Sequence, residues 1–567
     1  MLRYIIAFFV SSTAVSARSL PRLNSNDGGY QTRGKGLTVS TSSGIFAPHI
    51  PPSYPEIASF PDIRYAETPI GDLRFAPPVA AKAPLDSSVQ YKTKLPAGCF
   101  QYVPPYLDNT AATEAGNGAA MFQRGDYSNT TEDCLRLSIF APKWAVKHQT
   151  ATATATAPRH GNGEASSRGS HNKTSLPVII WIHGGGYSFG GTNVPYQLAQ
   201  SWVQRSQRHI VVQVQYRLNL LGMPNSAGLA AQGQNLNVGL LDQRLAVEWV
   251  AKNIAFMGGD PTRITIWGES AGAYGVDGYL HAWKDDPIVS GVIADSGNAL
   301  LVDTASTTAA NYSQFSHVAS RLGCTNTNAA AELDCMRQVP SLKLQSYLQA
   351  SVGSGHGTGA ADDGLSFAAV VDNVTVFSNY SRRLSHGGRD FASKVNLLIG
   401  TNTNEGAVVV PYNFNGSETA TSLPKFLQPT AKTFKLGLQC STLQEVRLRA
   451  AAGSHTWQYL YGGNFSDISP RPWLGAYHTA ELPLIFGTYG TEGKATELEH
   501  RVSRNMQDLY LAFAENPASG LTQAGWPEAR GSTEGWEIMK WAMDGKVSEI
   551  GGISELKNEC LKNGYRV

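Results

Sequence analysis

The residues best suited to chemistry lie in Ile264-Thr265-Ile266-Trp267-Gly268-Glu269-Ser270-Ala271-Gly272. A serine between two glycines, directly after an apolar strand-like run and before an Ala/Gly-rich stretch, has the context of a nucleophile elbow. The chemistry on offer is nucleophilic attack. The serine must sit in a tight, strained turn, and the flanking glycines let strand and helix approach without side-chain clash. The helix start then supplies backbone N–H groups beside a developing oxyanion. A second segment, His183-Gly184-Gly185-Gly186, ends another hydrophobic run. Consecutive glycines leave their N–H groups unshielded, which suits an oxyanion hole. A flexible turn would not need three glycines at a strand's carboxyl end, followed again by Gly190-Gly191.

These motifs need elements to hold them. Val178–Ile182, Ile210–Val214, Ile264–Trp267 and Val395–Gly400 read as buried parallel strands, and Leu135–Phe140 and Pro177–His183 as strand-like runs. Leu240 to Phe256 carries apolar residues at helical spacing. Strands alternating with helices imply an α/β protein whose sheet is covered on both faces. No internal repeat is visible. A low-complexity stretch over about 147–176, alternating Thr and Ala at Thr150 to Thr156, reads as a solvated loop.

Composition narrows the function classes. Among 567 residues, 46 Lys plus Arg face 44 Asp plus Glu, a formal balance of +2, so a polyanion-binding surface is not expected and no nucleic-acid partner is read. With 42% hydrophobic and 16% charged residues the chain is not disordered. Residues 1–17 read as an export signal: Arg3, the apolar run Tyr4 to Val10, then Val15-Ser16-Ala17 for cleavage. That run is too short to span a bilayer, and no later stretch is apolar enough for an integral membrane segment. Residues 18–45 read as a flexible arm and 46–567 as a single domain.

Seven Asn-X-Ser/Thr sequons, at Asn129, Asn172, Asn311, Asn373, Asn379, Asn415 and Asn464, agree with secretion. Six cysteines, an even number, suit an oxidising compartment. Spacing suggests Cys99 with Cys134 and Cys324 with Cys335, leaving Cys440 for Cys560, though sequence alone leaves many connectivities open. No Cys-X-X-Cys or paired-histidine spacing points to zinc.

The chain resembles the type-B carboxylesterase and lipase family of α/β-hydrolases, which includes cholinesterases and secreted fungal enzymes. The resemblance runs from about Phe60 to Cys560. It rests on Tyr65 to Phe75, on Glu132-Asp133-Cys134-Leu135, the triple glycine, Asn235 to Gln243, the serine elbow, Gly400 to Gly406 and Gly475 to Pro483. It implies an α/β-hydrolase fold with long insertions around a gorge, and a Ser-Glu-His triad in that chain order, mapping onto Ser270, Glu405 and His478. On residue type alone Glu405 reads as a loop carboxylate and His478 as a structural histidine among 13; the motifs reverse both readings. The resemblance further implies oxyanion donors at the amides of Gly185, Gly186 and Ala271, supporting roles for Glu269 and Ser296, a structural Arg74–Glu132 ion pair and the three disulfides above. It implies no cofactor and no metal, and a small ester as the substrate partner.

The loop between Cys99 and Cys134 bears on which ester. It is mostly polar, with Tyr102, Tyr106, Met121, Phe122 and Tyr127 scattered through it, so a lipase lid is only weakly encoded. It holds no Trp for cation–π binding of a quaternary ammonium. A general carboxylesterase is the first reading. A lipase for long-chain acylglycerols and a hydrolase for one secondary-metabolite or plant-derived ester are the alternatives. A non-catalytic binding relative would have lost triad residues that this chain keeps.

Overall fold

The computed structural model describes residues 37–101, 129–146, 175–301, 312–325, 328–350, 367–385, 395–408, 422–423, 425–469, 471, 473–490, 493–531 and 535–567. The expected leader 1–17 and most of the low-complexity loop lie outside them. So does most of the Cys99–Cys134 loop, its five scattered Tyr, Met and Phe residues included.

Ten strands form one mixed sheet: β1 (Ile57–Arg64), β2 (Arg136–Pro142), β3 (Leu176–Ile182), β4 (Ile210–Val214), β5 (Gly259–Glu269), β6 (Gly291–Asp295), β7 (Asn396–Asn402), β8 (Thr456–Tyr461), β9 (Glu537–Trp541) and β10 (Ser548–Gly552). Their order is β10-β9-β8-β7-β6-β5-β3-β4-β2-β1. From β9 to β4 all neighbours are parallel, while β10, β2 and β1 pair antiparallel at the two edges. The parallel strands read as unbroken apolar runs because both faces are buried. On β3, Val178, Ile180 and Ile182 face one core cluster, and Ile179 and Trp181 face the other. Each such side chain contributes about 1.5–3 kcal/mol when fully buried.

Helices cover both faces. On one lie α1 (Val238–Asn253), α2 (Ala271–Ala282) and α3 (Gln428–Ala451); on the other lies α4 (Glu497–Glu515). α4 begins with a capping box in which the Thr496 and Glu499 side chains each accept from the other's backbone N–H. The expected helix thus starts two residues earlier than the periodicity gave, at Val238, and ends in a 3-10 turn at Ile254–Met257.

The register sets the carboxyl ends of four strands level. Ile182 of β3 pairs with Gly268 of β5, Glu269 with Asp295 of β6, and Asp295 with Gly400 of β7. The triple-glycine segment, the serine elbow and the segment carrying Glu405 all leave the sheet from this one edge, where a crevice forms in open parallel sheets.

Buried polar contacts fix the long connections. Arg74 and Glu132 form a two-pronged ion pair at 2.7 and 2.6 Å, and Arg74 Nη1 also donates to the carbonyls of Met336 and Val339. The Asn235-Leu236-Asn237 motif proves to be scaffolding, since both asparagine side chains donate to Asp372. Cys99–Cys134, Cys324–Cys335 and Cys440–Cys560 are the three disulfides. The last ties α3 to α5 (Ser554–Lys562), and all six cysteines are used.

One boundary needs correction. The flexible arm was expected to reach residue 45, yet Val39–Thr41 and Gly44–Ala47 pair antiparallel. Val39 and Phe46 are buried, the Ser42 amide donates to Asn253 Oδ1, and Trp249 Nε1 donates to Ser43 Oγ. Average polarity over the segment hid two short apolar clusters, and Gly44 at φ 140° makes the turn between them.

Candidate active site

Ser270 stands between β5 and α2 with φ 56° and ψ −122°, a backbone conformation costly for any residue with a Cβ. Its neighbours show why the turn needs glycine. A Cβ on Gly268 would lie 2.3 Å from the Gly272 carbonyl, and one on Gly272 would lie 2.1 Å from the Ile182 carbonyl oxygen. The Ser270 amide donates to the Asp295 carbonyl at 2.9 Å, so the sheet itself clamps the strained residue.

The triple-glycine segment curls against this elbow. Gly185 and Gly186 have φ 101° and 60°. A Cβ on Gly184 would meet the Glu269 carboxylate at 2.6 Å. His183 stacks on Tyr216 with ring centroids 4.4 Å apart, and the Tyr216 hydroxyl donates to the His183 carbonyl. Burial pushes His183 down to about 4, so it is neutral and structural at ordinary pH. The amides of Gly185 and Gly186 have no acceptor among the described residues, and Ala271 is the first residue of α2, whose N–H has no partner within the helix. Three donors are therefore available beside the serine.

Glu405 follows β7 in a 3-10 turn and is fully buried. Its Oε1 accepts from Ser296 Oγ at 2.6 Å and from the Asn402 amide at 2.7 Å; its Oε2 meets His478 Nδ1 at 2.7 Å. Ser296, at φ 53° just past β6, thus touches Glu405. His478 sits on the turn before the short helix Leu482–Phe486 and is 6% exposed. Its Nε2 faces Glu269 Oε1 at 3.1 Å, and no hydrogen bond reaches the Ser270 hydroxyl among the described residues. The imidazole is therefore bracketed by two carboxyl groups on its two nitrogens.

Behind them lie carboxyls that the sequence reading missed. Asp295 accepts from Trp267 Nε1 at 2.6 Å and the Tyr510 hydroxyl at 2.9 Å, and Asn402 Nδ2 donates to Glu481 and to the Tyr477 carbonyl. Burial, then the neighbouring charges of Glu481, Glu405 and Asp295, raises Glu269 well above the carboxylate range. Glu481 is raised for the same reasons, burial first. Asp295 is pushed up to about 7 by burial, against the hydrogen bonds it accepts. Glu269 was named with a supporting role and Glu481 stood inside a quoted motif, but nothing local marked Asp295 or Glu481 as interior. Phe434 of α3, whose ring stands edge-on to His478 at 5.4 Å and 85°, had no motif at all.

The raised Asp295 gives a pH prediction. Between the unfolded carboxyl value near 4 and the folded value of about 7, the native state holds the extra proton, so stability falls as pH rises through this window. Asp295→Asn, whose amide oxygen can accept from Trp267 Nε1 while its NH2 donates to the Tyr510 hydroxyl oxygen, removes that dependence. Urea midpoints should therefore favour the variant more at pH 8 than at pH 5; an equal difference at both would refute the buried, protonated carboxyl.

Four sequon asparagines, Asn129, Asn373, Asn379 and Asn464, are exposed; Asn172, Asn311 and Asn415 lie outside the described residues. No helix among the described residues is long and apolar enough to cross a membrane.

Comparison with known proteins gives a consistent picture. The model of the carboxylesterase family matches residues 44–436. Secreted lipase 5 of Gibberella zeae is 57% identical over 94% of this chain and 95% of that protein. The chlorogenic acid esterase of Aspergillus niger is 36% identical over 98% and 99%. Among solved structures, a PNB esterase superposes with a TM-score of 0.67 over 92% of this chain and 99% of its own, at 21% identity, a likeness of fold.

Proposed function

The chain belongs to the carboxylesterase family and is a carboxylic ester hydrolase of α/β-hydrolase fold, and from that premise we propose that it works through Ser270, His478 and Glu405 by an acyl-enzyme route. The observation that carries the reading is the Glu405–His478 contact of 2.7 Å at the same sheet edge as the strained Ser270. Glu405 orients the imidazole through Nδ1 and stabilises the imidazolium that forms. His478 Nε2 removes the Ser270 proton as Oγ attacks the ester carbonyl. The Gly185, Gly186 and Ala271 amides hold the oxyanion, each such donor typically worth about 10²–10³ in rate. His478 then protonates the leaving alcohol and activates water for deacylation. In the resting geometry Nε2 rests on Glu269; catalytic hydrogen bonds commonly tighten only once substrate is bound. No cofactor or metal enters this route.

Export through a leader at 1–17, with the chain beyond it acting as one catalytic unit from about Leu37, fits three disulfides and the exposed sequons. For the substrate we take simple carboxylic esters as the first reading. The 57% identity to a secreted lipase supports a second, acylglycerols with long acyl chains. Initial rates on 4-nitrophenyl esters from acetyl to palmitoyl separate them. A maximum at short chains supports the first. A maximum at long chains, rising at an oil–water interface, supports the second, and no turnover of any member overturns the route.

A further inference from the structure

Phe434 touches the one triad side chain that must serve the leaving group, and nothing in the catalytic route uses it. Its ring lies edge-on to the His478 imidazole, with centroids 5.4 Å apart, and is only half-buried. Its helix is held firmly. Gly406, directly after Glu405, carries no Cβ because α3 passes there: a Cβ would lie 1.8 Å from the Ala431 carbonyl oxygen. Gln439 Nε2 of α3 donates to the Asn402 carbonyl at 2.8 Å, and Arg449 of α3 pairs with Asp277 of α2 at 2.6 Å, both groups fully buried. Leu427, Ala431, Phe434 and Leu438 fall at spacings of four, three and four, one stripe along the helix. Leu427, Ala431 and Leu438 are buried, so the stripe aims the Phe434 ring at the site.

The chemistry of the ester fixes which part of a substrate meets that ring. The carbonyl oxygen must point to the amides of Gly185, Gly186 and Ala271, and the alcohol oxygen must come within reach of His478 Nε2 to be protonated. The alcohol therefore extends on the imidazole side. We propose that Phe434 is a specificity-determining residue that walls the alcohol subsite and favours esters of aromatic and bulky apolar alcohols. The proposal rests on the triad reading above and adds the leaving-group class to it. A flat, apolar, immobilised ring selects through stacking and exclusion of water, and no charge is needed.

The test compares benzyl acetate with methyl acetate, which share an acyl group and release alcohols of nearly equal acidity. In Phe434→Ala, kcat/KM for benzyl acetate should fall about tenfold while that for methyl acetate stays within about twofold. Phe434→Leu, which keeps most of the apolar volume, should lie between them and guards against a variant that fails to fold. An equal fall on both esters would mean that the ring acts only by steadying His478, and overturns the proposal. So does an unchanged benzyl preference, or a change seen instead across methyl esters of growing acyl length. Ser270→Ala, run alongside, keeps the two questions apart: if it hydrolyses either ester within tenfold of the parent rate, the triad reading fails whatever Phe434 does.

Discussion

Ser270→Ala should lower kcat for a 4-nitrophenyl ester by about 10⁵–10⁶-fold and leave the protein folded and secreted. The chemical half of this expectation follows from the route: without Oγ no acyl-enzyme forms, and the oxyanion amides act only on direct attack by water. The folding half follows from the structure. The Ser270 hydroxyl makes no hydrogen bond among the described residues, and the strain at φ 56° is set by the Cβ that serine and alanine share. The Ser270 amide keeps its contact with the Asp295 carbonyl in the variant. Thermal midpoint and secreted yield should match the parent, and a fluorophosphonate probe should label the parent at Ser270 and the variant nowhere. Activity within tenfold of the parent, in a folded variant, would remove Ser270 from the mechanism.

The second large effect concerns which of two carboxyl groups serves His478. Glu405 meets Nδ1 at 2.7 Å and is itself held by Ser296 Oγ and the Asn402 amide. Glu269 lies 3.1 Å from Nε2, accepts no hydrogen bond among the described residues, and is pushed by burial towards its protonated form. A neutral carboxyl cannot stabilise an imidazolium as a carboxylate does. Glu405→Gln should therefore cost about 10⁴ in kcat with little change in KM, the loss seen when a triad acid is made an amide. The amide oxygen can still accept from Ser296 and Asn402, so the loop should hold. Glu269→Gln should cost no more than about tenfold, because an amide replaces a carboxyl that burial pushes towards its uncharged form. Reversal of these two magnitudes would show that His478 works from Glu269, and that the Nδ1 contact is scaffolding.

Much of this was legible before any coordinates. The serine elbow was, because its chemistry is local: the glycines at 268 and 272 are demanded by close approach of adjacent backbone. The parallel strands were, because burial on both faces writes an unbroken apolar run. The buried carboxyls were not. Asp295 and Glu481 look like ordinary acidic residues in loop-like sequence, and their raised pKa values come from groups distant along the chain. The arm that turned out to be a hairpin was misread for a related reason, since its apolar pairs are too short to outweigh the polar residues around them.

The sequence by itself pointed to the reaction class, to Ser270 as the proposed nucleophile and to the glycine amides proposed beside it, since each motif needs only residues a few positions apart. It also named Glu405 and His478, through motifs 73 residues apart, without supplying the geometry that joins them. The tertiary structure alone decided that His478 lies between two carboxyl groups, that burial pushes the Glu269 carboxyl up, and that Phe434 faces the imidazole. The physical reason is the sheet. Parallel strands joined by long crossovers bring remote segments level at one edge, and only there do burial, charge and ring contact among them acquire a magnitude.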